Sequence, residues 1–364
     1  MKKKLLSVLA LIAIIFASCG TKEQKQETTS SAMQKKVDEF AMVQLTTDVS
    51  KLNDKEKQLI GIFFDIADIM DELFWLQSFG DKAEMEKIQD PATRDFALIN
   101  YGPWERLDGM RTFVTGYGDK PLGANFYPSD MTKEEYEALQ DENKGSLYTV
   151  IRRDKDGKLI VKWYREEYKQ QIDKVCALLD KAIPLAEDAG LKKYLEERKK
   201  AFQTDDYFAS DMAWMDMKNS HLDFVVGPIE NYEDRLFGAK AAYEAFILVK
   251  DEEESSKLAK FTSMLPQLQK ELPCDPKFKQ EVPGTESDLN VYDVIFYAGD
   301  CNSGSKTIAI NLPNDERVQL AKGARRLQLK NAMKAKFDKI LYPIAENILA
   351  QDQLAKVKFD AFFY

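Results

Sequence analysis

Leu147-Tyr148-Thr149-Val150-Ile151 and Leu159-Ile160-Val161-Lys162-Trp163 flank the polar stretch Arg152-Arg153-Asp154-Lys155-Asp156-Gly157-Lys158. Two runs of β-branched and aromatic residues around a turn containing Asp156-Gly157 predict a β-hairpin. The period then changes. From about Glu166, the residues Tyr168, Ile172, Val175, Cys176 and Leu179 recur on one face of a helix, which Pro184 ends or kinks. A further helix reads from about Gly190 to Phe202. A hairpin set among helices gives an α+β fold, mainly α.

The pattern extends in both directions. Upstream, Asn53 to Phe79 carries apolar residues at 59, 60, 63, 66, 67, 70, 73 and 74, a helical stripe that Gly80 stops. Residues 81–130 are rich in turn formers, and Thr132-x-x-Glu135 is a capping box opening a short helix at Lys133. Downstream, Gly227-Pro228 reads as a helix start, with helix over 228–250, and Lys257 to Glu271 is amphipathic. Residues 292–297 and 307–310 read as strands around a polar loop. Asp315 to Leu349 reads as helix again, interrupted at Pro343. No internal repeat is visible.

Of the 364 residues, 44% are hydrophobic and 11% aromatic, enough to bury a full core and to exclude global disorder. Lys and Arg number 52 against 61 Asp and Glu, a formal charge of −9 with no long basic block, so nucleic acid is not an expected partner. The chain has one histidine, His221, which excludes any zinc site needing two. That residue reads as a surface or structural one.

Residues 1–18 read as an export signal: Lys2-Lys3-Lys4, then an apolar run from Leu5 to Phe16 too short to span a bilayer comfortably. The run closes in Phe16-Ala17-Ser18-Cys19-Gly20, which resembles the lipobox of bacterial lipoproteins, with Phe16 in place of the usual Leu. Cys19 is thus the expected lipidation site, and several acyl chains on one residue give stable anchoring. Residues 19–32 are polar and read as a disordered tether. The expected location is the cell envelope, on the periplasmic or the outer-membrane face. The aromatic run Phe359-Asp360-Ala361-Phe362-Phe363-Tyr364 either docks into a core or marks a chain cut in mid-domain, and the second is the expectation here. With Cys19 lipidated, Cys176 reads as a buried free thiol, and a Cys274–Cys301 disulfide is permitted without being required.

The chemistry concentrates in Gly227-Pro228-Ile229-Glu230-Asn231-Tyr232-Glu233-Asp234. On a helix Glu230 would lie in the first turn, sharing a face with Asp234 and nearly with Glu244. An acidic, solvated helix start would look the same. Ile229-Glu230-x-Tyr232-x-Asp234, then Phe237-Gly238 and Tyr243-Glu244-Ala245-Phe246, resembles the dipeptidyl peptidase III family of zinc peptidases. Tyr297-Ala298-Gly299 and Ala309-Ile310-Asn311-Leu312-Pro313-Asn314 are similar to its A-G and G-I-N-I-P-N segments, and Phe359-Asp360 to the pair just before its zinc helix. The resemblance spans roughly residues 120–364. This chain has one residue more than the commoner spacing between Asp234 and Gly238.

The resemblance implies that Glu230 and Glu244 help hold the free amino group of a peptide. It implies that Tyr232 hydrogen-bonds the peptide and the reacting oxyanion, and that Asn311 and Asn314 contact the peptide backbone. A carboxylate on an ammonium supplies about 1.5–3 kcal/mol, and a preorganised hydroxyl suits an oxyanion. The family's H-E-x-x-G-H helix and later glutamate ligand do not occur in residues 1–364, so the chain has no metal ligands of its own. Zinc is implied for the full-length enzyme only. Residues 33–364 therefore read as an incomplete peptidase domain, a mixed α/β lobe plus the start of a zinc-bearing helical lobe. The expected function is the N-terminal portion of an exported, lipid-anchored exopeptidase releasing dipeptides from short peptides, inactive alone. The rival is a non-catalytic surface lipoprotein that binds peptide or glycan.

Overall fold

The computed structural model describes residues 31–279 and 288–363. The export signal and Cys19 lie outside the described residues, as does all of the tether except Ser31 and Ala32. Ser31 caps the helix Ala32–Asp38 through its hydroxyl.

The long helix Asp54–Ser78 is the spine. Asn53 and Glu56 close its first turn reciprocally, side chain to backbone at 2.9 Å each way. Leu59, Phe63, Ile66, Met70, Leu73 and Phe74 line its buried side. That side lies across a five-stranded sheet, with Phe63 stacked on Phe224 at 4.2 Å and Phe64 edge-on to Phe296. Helices Lys169–Ala182 and Ala189–Thr204 follow the hairpin as expected; the first packs on the spine, the second on the edge of the sheet.

Two small antiparallel pairs flank the sheet: β1 (Trp104–Glu105) with β2 (Arg111–Thr112), and the hairpin of β3 (Thr149–Arg153) and β4 (Leu159–Trp163). The sheet itself comprises β5 (Leu222–Glu230), β6 (Ala242–Lys250), β7 (Asp288–Gly299), β8 (Ala309–Leu312) and β9 (Arg325–Leu329). Its order is β5-β6-β7-β9-β8, antiparallel except for β7–β9. It curls strongly. Arg325 of β9 reaches Asp223 of β5 at 2.8 Å although two strands separate them. Trp214 caps the pair, its indole N–H on Asp223 at 2.8 Å and its ring 4.2 Å from the guanidinium.

The helix expected over 228–250 is not there. Residues 222–228 and 242–249 are buried without a break, so the two strands present no alternation for the period-2 reading to find. Gly227-Pro228, read as a helix start, lies in the edge strand β5 beside a bulge between Pro228 and Glu230, a place where a sheet tolerates proline. Glu230 and Asp234 consequently share no helical face. β9 interrupts the helix expected over 315–349; its inward residues are Arg325, Leu327 and Leu329, and the arginine hides the strand's apolar face. Pro343 falls in the first turn of the helix Tyr342–Ile348, directly after a π-helical turn at Phe337–Leu341.

Cys176, Cys274 and Cys301 are all free, so the permitted disulfide is absent: Cys301 is buried and Cys274 exposed. Phe363 is buried with Leu258, Val291 and Met333, and Phe359 packs against Phe337. Among the described residues no helix is long and apolar enough to cross a membrane.

Candidate functional site

The loop between β5 and β6 is built from buried charge. Asp234 accepts the Tyr127 hydroxyl at 2.8 Å and four backbone N–H groups, from Leu236, Phe237, Ala239 and Lys240, at 2.9–3.2 Å. One carboxylate thus closes the whole turn, while Phe237 stacks on Tyr136 at 4.3 Å. Glu233 points the other way. The Arg106 guanidinium forks onto it at 2.7 and 3.2 Å and Lys120 reaches it at 2.5 Å, all three side chains buried. Burial alone would raise this carboxyl, but the two cations hold it down to about 2. With both following side chains pinned inward, Tyr232 stands out at the tip, 75% exposed.

Glu230 ends β5 opposite Ala242, and Glu244 lies two residues further along β6, so the two carboxyls project from the same face of the sheet. Glu244 sits in register between Gly227 and Gly299. Gly299 has φ +72°, and a Cβ there would lie 2.2 Å from the Tyr243 carbonyl, so the strands close on one another only because that residue is glycine. Immediately after it come Asp300 and Cys301. Burial drives the Glu244 carboxyl well above the usual range, and the Asp300 and Glu230 carboxylates push it further against a hydrogen bond from the Cys301 N–H. Burial likewise lifts Asp300 to about 7, helped by Glu233 and opposed by Arg106. Half-buried Glu230 is raised by burial and restrained by Asn314.

Asn314 therefore joins the acidic group: it also donates to the Ile229 carbonyl at 3.2 Å, tying the segment after β8 to the end of β5. Asn311 is exposed on the edge strand β8, paired opposite Arg326, with no contact to either glutamate. The structure thus gathers Glu230, Glu244 and Asn314, leaves Tyr232 exposed on the loop that follows Glu230, and leaves Asn311 along the sheet edge. Sequence reasoning missed Asp300, Arg106, Lys120 and Tyr127. Asp300 had a signal in the turn that follows Gly299; the isolated Arg106 and Lys120 in an irregular stretch had none.

Chemically, Arg106 and Lys120 hold Glu233 ionised, while burial raises Glu230, Glu244 and Asp300 and so favours their protonated forms; a cation brought among these three would favour their ionisation. Among the described residues no three His, Cys, Asp or Glu side chains are grouped to hold a metal ion, and His221 faces Glu56 at 3.1 Å on the surface. Zinc does not fit the residues described.

Residues 130–363 match the family model described as Peptidase family M49. The chain is 30% identical to Nudix hydrolase 3 of Arabidopsis thaliana over 93% of its own length and 51% of that protein's. It is 28% identical to human dipeptidyl peptidase 3 over 46% of this chain and 22% of that one. The solved structure of DPP III from Caldithrix abyssi superposes with TM-score 0.86 at 41% identity, covering 91% of this chain and 65% of the other. That of dipeptidyl-peptidase III from Corallococcus sp. strain EGB gives 0.81 at 38%, covering 91% and 64%. The chain thus spans about half the length of the first of these relatives and just under two thirds of the solved structures.

Proposed function

Because the chain belongs to peptidase family M49, we propose that it supplies the peptide-recognition half of an exported zinc exopeptidase that releases dipeptides from free N-termini. The carrying observation is the group of three carboxyls, Glu230, Glu244 and Asp300, all raised by burial and so poised to ionise when a cation comes among them, with Asn314 tied to the end of β5 beside Glu230. A peptide ammonium is the cation of the right kind, small and hydrogen-bonding. Held there, it fixes the start of the peptide, so that the bond after the second residue lies at a set reach from these carboxyls. Asn314 and Asn311 hold the peptide backbone, and Tyr232 donates to the reacting oxygen.

The catalytic metal of the whole protein is held by residues outside those described, so residues 33–364 bind peptide without hydrolysing it. Lipidation at Cys19 places the protein on the cell envelope, where it scavenges short peptides. Titration calorimetry with tetra-alanine and its N-acetylated form tests the recognition step. Acetylation, Glu230→Gln and Glu244→Gln should each weaken binding at least tenfold; equal binding of the acetylated peptide overturns the reading. Fractionation of cells carrying Cys19→Ser tests the anchor, which requires the variant to leave the membrane fraction.

A further inference from the structure

Three buried polar atoms gather where the helices Ala189–Thr204 and Phe208–Asp216 meet β6. They are Asp205 Oδ1 and the hydroxyls of Tyr207 and Tyr243, and none has a hydrogen-bond partner among the described residues. We propose that this corner binds one internal water molecule, which accepts from both hydroxyls and donates to Asp205 Oδ1. The inference uses no residue of the peptide-binding reading.

The chain itself brings the three groups together. Asp205 ends the first helix with φ +59°, a left-handed conformation that aspartate adopts more readily than most residues. Two residues on, Tyr207 leads into the second helix, while Tyr243 comes from the buried strand β6. The Phe202 ring touches both tyrosines, edge-on to Tyr207 at 5.9 Å and stacked on Tyr243 at 6.5 Å. Burial does most to raise the Tyr207 hydroxyl, and the Asp205 charge comes next; for Tyr243 the order is burial, Tyr207, then Asp205. The three groups therefore face one another. The two hydroxyls are near enough to bear on each other, yet they do not reach hydrogen-bonding geometry.

Charge decides what is held. Asp205 Oδ2 already accepts the Arg165 backbone N–H at 3.1 Å and the Arg165 guanidinium at 2.9 Å. The nearby Arg198, 5.2 Å from the centre of the Tyr207 ring, is paired with Asp211 at 2.6 Å. Both cations are thus balanced, and a further cation would bring in a buried charge with no counter-charge. An anion would meet the carboxylate. A small neutral molecule that both donates and accepts is what remains. Buried waters typically make about three hydrogen bonds, the number these atoms offer. Such a water would pin the corner between the two helices to the middle of the sheet, and it would spare three polar atoms the cost of burial without a partner.

The test is a crystal structure of the full chain, at a resolution that shows ordered water, from crystals grown in rubidium chloride. The expected result is a density peak without anomalous signal, about 2.5–3.0 Å from Asp205 Oδ1 and from both hydroxyls. An anomalous peak there is a cation and overturns the proposal. An empty site, or a direct bond from either hydroxyl to Asp205, overturns it equally. Urea unfolding gives a second reading in solution. Tyr207→Phe and Tyr243→Phe each remove a bond to the same water. The double variant should therefore change the unfolding constant by at least about threefold less than the product of the two single effects. Single effects that simply multiply overturn the shared water. If a variant does not fold, the crystal structure of the parent chain decides alone.

Discussion

Arg106 grips Glu233 through two nitrogens, at 2.7 and 3.2 Å, across 127 residues of chain and with both side chains buried. This pair, not the loop's own sequence, decides that Tyr232 faces outward. Arg106→Ala would leave Glu233 with Lys120 alone in a dry site, and should cost about 3–5 kcal/mol in urea unfolding. Glu233 also dictates an acid response. Its folded-state value is depressed to about 2, so the stability it contributes is present above the unfolded carboxyl value and is lost as pH falls from about 4.5 to about 2. That loss should be absent in Glu233→Gln.

Lys240 gives the opposite profile. Its ammonium is buried and donates to the carbonyls of Lys144 and Ser146 and to the Thr149 hydroxyl, at 2.6–2.9 Å. Burial lowers it to about 8 despite Asp234. A lysine depressed on folding holds fewer protons folded than unfolded between about pH 8 and about 10.4, so stability due to this group rises over that window. Lys240→Met should lack the rise, and the difference between the two unfolding curves should change by about 2 kcal/mol across it.

The elements legible in the sequence are those whose signal is local. Asn53 and Glu56 announce the spine helix, Thr132 and Glu135 the short one, and Asp156-Gly157 the hairpin, because caps and turns are written within a few residues. β5 and β6 were illegible because burial on both faces erases their alternation, and β9 because Arg325 occupies an inward position that only Asp223, 102 residues away, makes tolerable. Glu230, Tyr232, Glu244 and Asn314 were found through resemblance, whereas their geometry depends on strands the periodicity did not show. Arg106 and Lys120 meet Glu233 across more than a hundred residues of chain, a contact with no local trace.

Asp300 carries a penalty that should be measurable without any ligand. Its carboxyl is raised to about 7, so the folded protein holds an extra proton between the unfolded value near 4 and about pH 7, and stability due to this group falls as pH rises through that range. Asp300→Asn removes the titration. The stability of the variant relative to the parent should therefore increase by about 2 kcal/mol from pH 5 to pH 8. A flat difference would mean that Arg106 and Lys120 keep Asp300 ionised throughout.

Gly299→Ala tests whether the packing of β6 against β7 sets the state of Glu244. The new Cβ would meet the Tyr243 carbonyl at 2.2 Å and the Glu244 Cα at 3.1 Å, at a φ of +72° that alanine rarely adopts. Asp71 also holds this corner, accepting the Gly299 N–H at 3.3 Å and the Tyr101 hydroxyl, so the strain cannot be relieved by a simple shift of β7. Overpacking of this kind costs about 1–3 kcal/mol, and the left-handed backbone adds to it. The substitution should also move the Asp300–Cys301 turn away from Glu244, admit water and lower the carboxyl towards its ordinary value. Carboxyl titration by NMR of selectively labelled glutamate would read that change directly. Lost stability with an unmoved Glu244 would show that the burial of that carboxyl comes from β5 and the spine helix instead.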